Sequence, residues 1–125
     1  MSTVSNRATV ELPSPTEILI TRVFDAPVGL VWRAMTEPDL VRQWWCGERG
    51  EVTSAEIDLR VGGTWRYVMV AHGGFEVGFH GEYSEIVPGQ RIVTTEVYEG
   101  MPDAQAINII TLEETDGQTT MTVLV

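Results

Sequence analysis

RVFDAPVGLVWRAMTEPDLVRQWW, residues 22–45, is the stretch that decides the architecture. The apolar run Ile18 to Phe24 breaks at Asp25-Ala26-Pro27 and leads into a segment in which Val28, Val31, Trp32 and Met35 recur at i, i+3, i+4 and i+7, one face of a helix. Thr36-Glu37-Pro38 ends that helix, and a shorter one follows with Leu40, Val41, Trp44 and Trp45 on its apolar side. A proline in the first helical position gives up an amide that no intrahelical acceptor would use, and its φ already suits the helix. Pro27 and Pro38 are therefore read as the two helix starts. Gly29 lowers helix propensity, so packing must hold the first helix in place. The stretch encodes a strand followed by two short helices set at an angle.

Beyond Gly47 the hydrophobic period falls to two. From Glu51 to Leu59, residues Thr53, Ala55, Ile57 and Leu59 share one face, read as the inner one. Gly62-Gly63 turns the chain into Trp65, Tyr67 and Met69, alternating with Arg66, Val68 and Val70. After His72-Gly73-Gly74, residues Phe75, Val77, Phe79, Gly81 and Tyr83 alternate with Glu76, Gly78, His80, Glu82 and Ser84; Gly81 leaves room for a neighbour or marks a bulge. Pro88-Gly89 precedes a strand from Ile92 to Tyr98, with Val93, Thr95 and Val97 expected inward. Asn108–Glu113 and Thr119–Val125 form a last hairpin around Asp116-Gly117. Upstream, residues 1–7 are polar and read as frayed, and Ala8 to Leu12 is a short strand closed by Pro13-Ser14-Pro15. Strands joined by tight turns, with helices only after the first long strand, give an α+β class with an antiparallel sheet.

Together with Asp58-Leu59-Arg60-Val61-Gly62-Gly63-Thr64-Trp65, these segments resemble the activator of heat-shock-protein-90 ATPase homologue-like family of the START-like, helix-grip (SRPBCC) superfamily. Length and composition predict one domain over residues 1–125, and the resemblance, which runs roughly from the first long strand to Val125, implies a curved antiparallel sheet wrapped around a cavity. Proteins similar to this one carry a long C-terminal helix across the open side of the sheet, whereas this sequence stops at Val125 inside what reads as the last strand. At ~25 cal/mol per Å², several hundred Å² of uncovered apolar wall, including Trp65, Tyr67 and Met69, would forgo on the order of 10 kcal/mol. The reading therefore expects either a homodimer that occludes the open side or a C-terminal helix in the natural protein. Light scattering checks the first and intact mass the second.

Composition narrows the function classes. A net charge of −10, from 18 acidic residues against 8 arginines and no lysine, repels nucleic acid and anionic lipid head groups. The single Cys46 excludes an intrachain disulfide and a cysteine-based metal site. With no apolar run near the ~20 residues of a membrane span and no signal-peptide pattern at the N-terminus, a cytoplasmic protein without membrane insertion is expected. Seven polar residues precede the first strand, so the extra N-terminal domain through which eukaryotic relatives make much of their chaperone contact is not expected here.

Trp65, Tyr67, Met69, Phe79 and Tyr83, inward on adjacent strands, are read as lining a ligand cavity or as ordinary core. Trp44 and Trp45 either guard the cavity mouth or pin the short helix to the sheet, and Asn108, if inward, would orient a ligand. Asp58 and Arg60 read as a surface or turn-bracing ion pair, with recognition of a polar ligand group as the alternative. Neither His72 nor His80 has a metal-binding spacing, and Glu82 and Glu85 differ in strand parity, so no metal and no paired-carboxylate chemistry is expected. Cys46 has no histidine close in sequence to serve as its base. With no phosphate loop, dinucleotide fingerprint or nucleophile elbow, neither cofactor nor catalytic residue is assigned. The expected function is binding of a small hydrophobic or amphipathic molecule; the alternatives are a protein-interaction module related to chaperone ATPase activators and an enzyme acting on a hydrophobic substrate.

Overall fold

The computed structural model describes residues 8–45 and 50–125. Eight strands form one antiparallel sheet: β1 (Ala8–Ser14), β2 (Glu17–Phe24), β3 (Gly50–Ile57), β4 (Thr64–Ala71), β5 (Glu76–Val87), β6 (Arg91–Tyr98), β7 (Gln105–Thr115) and β8 (Gln118–Leu124). Helices α1 (Val28–Thr36) and α2 (Pro38–Trp44) lie between β2 and β3. The strand order is β1-β2-β8-β7-β6-β5-β4-β3, which places β2 beside β8 and β3 at the far edge. The two helices therefore carry the chain across the width of the sheet. This is the expected α+β, helix-grip-like arrangement, and β8 is its last element.

Local chemistry fixes the helix ends. Pro27 sits at the N-cap of α1 in an extended conformation, one position earlier than the sequence suggests, and supplies no side-chain cap. The exposed Val28 amide donates instead to Glu114 Oε1 at 2.6 Å, a carboxylate at the positive end of the helix. Two residues earlier, the fully buried Thr119 donates from Oγ1 to the Ala26 carbonyl at 2.7 Å. Pro38 opens α2 as expected. Trp44 Nε1 donates to the Ala34 carbonyl at 2.7 Å, fixing α2 against α1.

Strand registers set the concave face. Ile57, Trp65 and Gly81 lie in one cross-strand row, and Ala55, Tyr67, Phe79 and Tyr98 in the next. Two bulges alter the expected parity. Thr53 is the extra residue between Val52 and Ser54, so the buried Val52 takes the inner position beside Met69. Ser84 is a second extra residue, between the pairs Tyr83–Thr94 and Glu85–Val93. On β6 the concave residues are Ile92, Thr94, Glu96 and Tyr98, so Val93, Thr95 and Val97 lie on the convex side, opposite to expectation. Leu59 follows the end of β3 and Phe75 sits in the turn before β5, both exposed rather than inward. The first strand runs through Pro13 to Ser14, which an edge strand tolerates.

Val41, Trp65, Tyr67, Tyr83 and Ile92 form the buried core, with Trp45 packed against it. The expected exposure of Trp65, Tyr67 and Met69 does not occur: they are 6%, 7% and 6% exposed. Trp45 shields this region, lying edge-on at 5.1 Å from the Tyr67 ring and 4.9 Å from Phe79. Uncovered apolar side chains are scattered instead, on β1 at Val10 and Leu12 and elsewhere at Val61, Phe75, Met101 and Ile107.

Gly81 lies beneath Trp65. A Cβ at this position would stand 1.9 Å from the Thr95 carbonyl oxygen and 2.5 Å from Trp65 Nε1, so the glycine makes room for the indole and the bulge falls at Ser84 instead. Gly81→Ala is expected to destabilise the fold by roughly 2–3 kcal/mol through overpacking. Urea unfolding followed by tryptophan fluorescence checks this, and an unchanged midpoint would mean that the indole does not rest on the glycine.

Candidate ligand-binding site

Three adjoining cavities form a trough along the concave face. The central one, about 210 Å³, is walled by Trp45, Trp65, Tyr67, Tyr83 and Ile110 and carries Thr94, Glu96 and Asn108 as its polar groups. Toward β2 it shares Met35, Trp44 and Met121 with a cavity of about 370 Å³ reaching Arg22, Phe24 and Leu30. Toward the start of β7 it shares Glu96, Asn108 and Val123 with a more open hollow of about 550 Å³. Apolar walls with a few convergent polar groups are the usual make-up of a small-molecule site.

The polar groups divide into satisfied and unsatisfied ones. Trp65 Nε1 donates to Thr94 Oγ1 at 2.8 Å, and that hydroxyl has the Glu82 and Thr95 carbonyls at 3.1 and 3.0 Å as acceptors for its own proton. Asn108 Nδ2 donates to Glu96 Oε1 at 2.6 Å, while Asn108 Oδ1 is buried without a partner. Such an orphaned acceptor costs its desolvation unless something supplies a donor. Burial pushes the Tyr83 phenol up to about 12, with the Asp58 charge adding to the effect. Tyr67 is pushed higher still by burial, then by Tyr83 and Glu96. Both phenols therefore stay protonated at neutral pH, and among the described residues neither hydroxyl has a hydrogen-bond partner. The trough thus presents two neutral donors and one bare acceptor in an apolar setting.

The residues singled out in sequence fall into three groups. Trp44, Trp65, Tyr67, Tyr83 and Asn108 line the central cavity. Phe79 lies behind that wall, 4.9 Å from Trp45 and 5.2 Å from Tyr98. Met69 is buried beside Val52 on the same side of the sheet and contributes packing rather than cavity surface. Trp44 lines two cavities while bonded to α1, and Trp45 is the residue that pins α2 to the sheet.

Glu96 and Arg22 were not singled out. Glu96 was hidden by the reversed parity of β6. Arg22 had a visible signal, a cation in an otherwise apolar strand at the same parity as Ile20 and Phe24.

The other residues weighed in sequence for polar recognition, metal binding or catalysis stand elsewhere. Arg60 Nε donates to Asp58 Oδ2 at 2.8 Å in the exposed β3–β4 turn. His80 lies on the convex side, its Nδ1 2.9 Å from Glu99, whose carboxylate also receives two bonds from Arg66. The Arg66 bonds first, and that of His80 second, lower the Glu99 carboxyl to about 2. Cys46 lies outside the described residues. Among those described, no cluster of three metal-ligating side chains occurs, and no helix is long and apolar enough to cross a membrane.

A family model described as Activator of Hsp90 ATPase homolog 1-like protein matches residues 25–125. A Chromobacterium violaceum protein of known structure is 30% identical, the match covering 88% of this chain and 78% of that one with a TM-score of 0.71. A Nitrosomonas europaea protein is 27% identical over 86% of this chain and 72% of its own, with a TM-score of 0.77. A Staphylococcus aureus protein of unknown function, 22% identical over 95% and 71% with a TM-score of 0.70, shares the fold. No curated protein matches the chain.

The bond between the indole and Thr94 has a measurable result. Thr94→Val leaves a buried indole N–H without an acceptor and is expected to cost about 1–3 kcal/mol, whereas Thr94→Ser, which keeps the hydroxyl, should cost less. Urea midpoints of the two variants check the order, and equal midpoints would mean that the bond from Trp65 to Thr94 contributes nothing.

Proposed function

The chain belongs to the Activator of Hsp90 ATPase homolog 1-like family, and on that frame we propose that it binds a small hydrophobic or amphipathic molecule in the trough between the helix pair and the concave face. The observation that carries this reading is the central cavity, where Trp45, Trp65, Tyr67 and Tyr83 surround the unpaired Asn108 Oδ1. An ordinary core would fill such a space with side chains or pair its polar atoms. An apolar body fits the aromatic walls, and one donor or acceptor on it meets Asn108 or a phenol. Binding is favoured over turnover because, among the described residues, the trough holds no nucleophile hydrogen-bonded to a base.

The family's description supplies the second reading, contact with a chaperone ATPase. The two separate experimentally. Titration with a hydrophobic fluorescent probe is expected to change tryptophan emission saturably, and Tyr67→Phe, which removes a hydroxyl while keeping the wall, should weaken binding of hydrogen-bonding probes several-fold and that of apolar ones little. No saturable response, together with stoichiometric stimulation of an Hsp90-class ATPase by the purified chain, would transfer the assignment to chaperone contact.

A further inference from the structure

Arg22 is an inward-facing cation without a counter-ion among the described residues. Its position on β2 opposite Met121 puts it on the wall of the 370 Å³ cavity, among Phe24, Leu30, Met35 and Trp44. Its Nε is buried and unpartnered, and the guanidinium carbon lies 5.8 Å from the Phe24 ring centroid, a cation–π contact rather than an ion pair. Arg33, Arg60, Arg66 and Arg91 each hold a carboxylate, those of Glu37, Asp58, Glu99 and Glu85. Arg42 is exposed on α2. Among the described residues no acidic side chain lines the cavity that Arg22 faces, although the chain has 18 acidic residues against 8 arginines. A desolvated guanidinium donor is costly until an acceptor reaches it, and the planar fork of arginine suits a carboxylate above other acceptors.

The far end of the trough has the opposite character. Arg22 pairs with Met121, Met121 with Leu112, and Asn108 lies four residues along β7 from Leu112. Two strand spacings across and four residues along put Arg22 and Asn108 roughly 16 Å apart. Glu96, bonded to Asn108, places a carboxylate there that disfavours a second anion.

Resting on the proposed binding function, we propose that the ligand is an amphipathic carboxylate, its head group bonded to Arg22 and its apolar body directed along Met35, Trp44 and Met121 toward the aromatic pocket. The charges give the trough a direction: anion at β2, neutral tail or hydroxyl at Glu96 and Asn108. A cationic amphiphile finds the reverse field at the Arg22 end.

Decanoate, decanol and decylamine titrated into the full chain, with tryptophan emission and calorimetry as readouts, test this. Decanoate is expected to bind at least tenfold more tightly than decanol, and decylamine more weakly than decanoate. Arg22→Gln should collapse the carboxylate-over-alcohol ratio to about one, and Arg22→Lys, which keeps the charge but not the fork, should give an intermediate ratio. Thermal melting confirms that each variant is folded, and Arg22→Met supplies a second neutral replacement if the glutamine variant is not. Equal affinity for decanoate and decanol in the unaltered protein, or an unchanged ratio in Arg22→Gln, overturns the carboxylate assignment while leaving the binding function standing. Failure of all three probes to bind removes both. A dimer that dissociates in Arg22→Gln, with no carboxylate preference, would mean that a second copy supplies the counter-ion, and overturns the proposal.

Discussion

The indole of Trp65 lying over Gly81 is the contact on which the concave side is organised. With no side chain at Gly81 the ring can lie flat across β5, and its N–H then reaches Thr94 on β6. One residue thereby ties β4 to β6 over the strand between them, and the tie is directional as well as apolar. Tyr67, whose ring centroid is 4.6 Å from that of Trp65, continues the same surface, and Trp45 of the helical segment stands on it. The core is thus a stack built outward from a glycine. Because the polar atom of the indole is satisfied within this stack, the unpaired Asn108 Oδ1 stands out as a feature of the trough and not of the packing.

Much of this was legible in the chain. Val28, Val31, Trp32 and Met35 announce α1, Pro38 starts α2, Asp116-Gly117 turns the last hairpin with both residues at positive φ, and the alternation of β4 and β5 places Trp65, Tyr67 and Tyr83 on the right side. The failures have two causes, extra residues in strands and an apolar outer face on β6. A period-two pattern loses its phase wherever a strand carries an extra residue, and bulges at Thr53 and Ser84 leave no mark in hydropathy. On β6 the two faces read Ile-Thr-Glu-Tyr and Val-Thr-Val, so apolarity pointed the wrong way. The inner face carries Glu96 because the site is polar there, and the outer face keeps Val97 buried at 7%. Arg22 was passed over for a related reason, since a lone cation in an apolar strand counts as noise until the register shows what it faces.

Fold and site also draw differently on the comparisons. The family match and the solved relatives agree on the frame, a curved sheet with two helices inserted after its first long strand. Frames of this kind host unrelated chemistries, so the case for a ligand rests on this chain's own atoms. The acidic surface acts at long range, whereas on the proposed function Arg22, Glu96 and Asn108 would act at contact distance.

The helix pair is anchored at both ends to distant parts of the sheet. Its start is fastened to the last hairpin through Glu114 and Thr119, and its end is seated on β4 and β5 through Trp45. It resembles a bowstring drawn across a bent bow, jointed at Glu37-Pro38. The ring of Pro38 locks its own φ, so Glu37, in an extended conformation between two helical segments, absorbs any change in string length. Any widening of the sheet between the last hairpin and β4–β5 would therefore be taken up at Glu37, a residue remote from the aromatic wall.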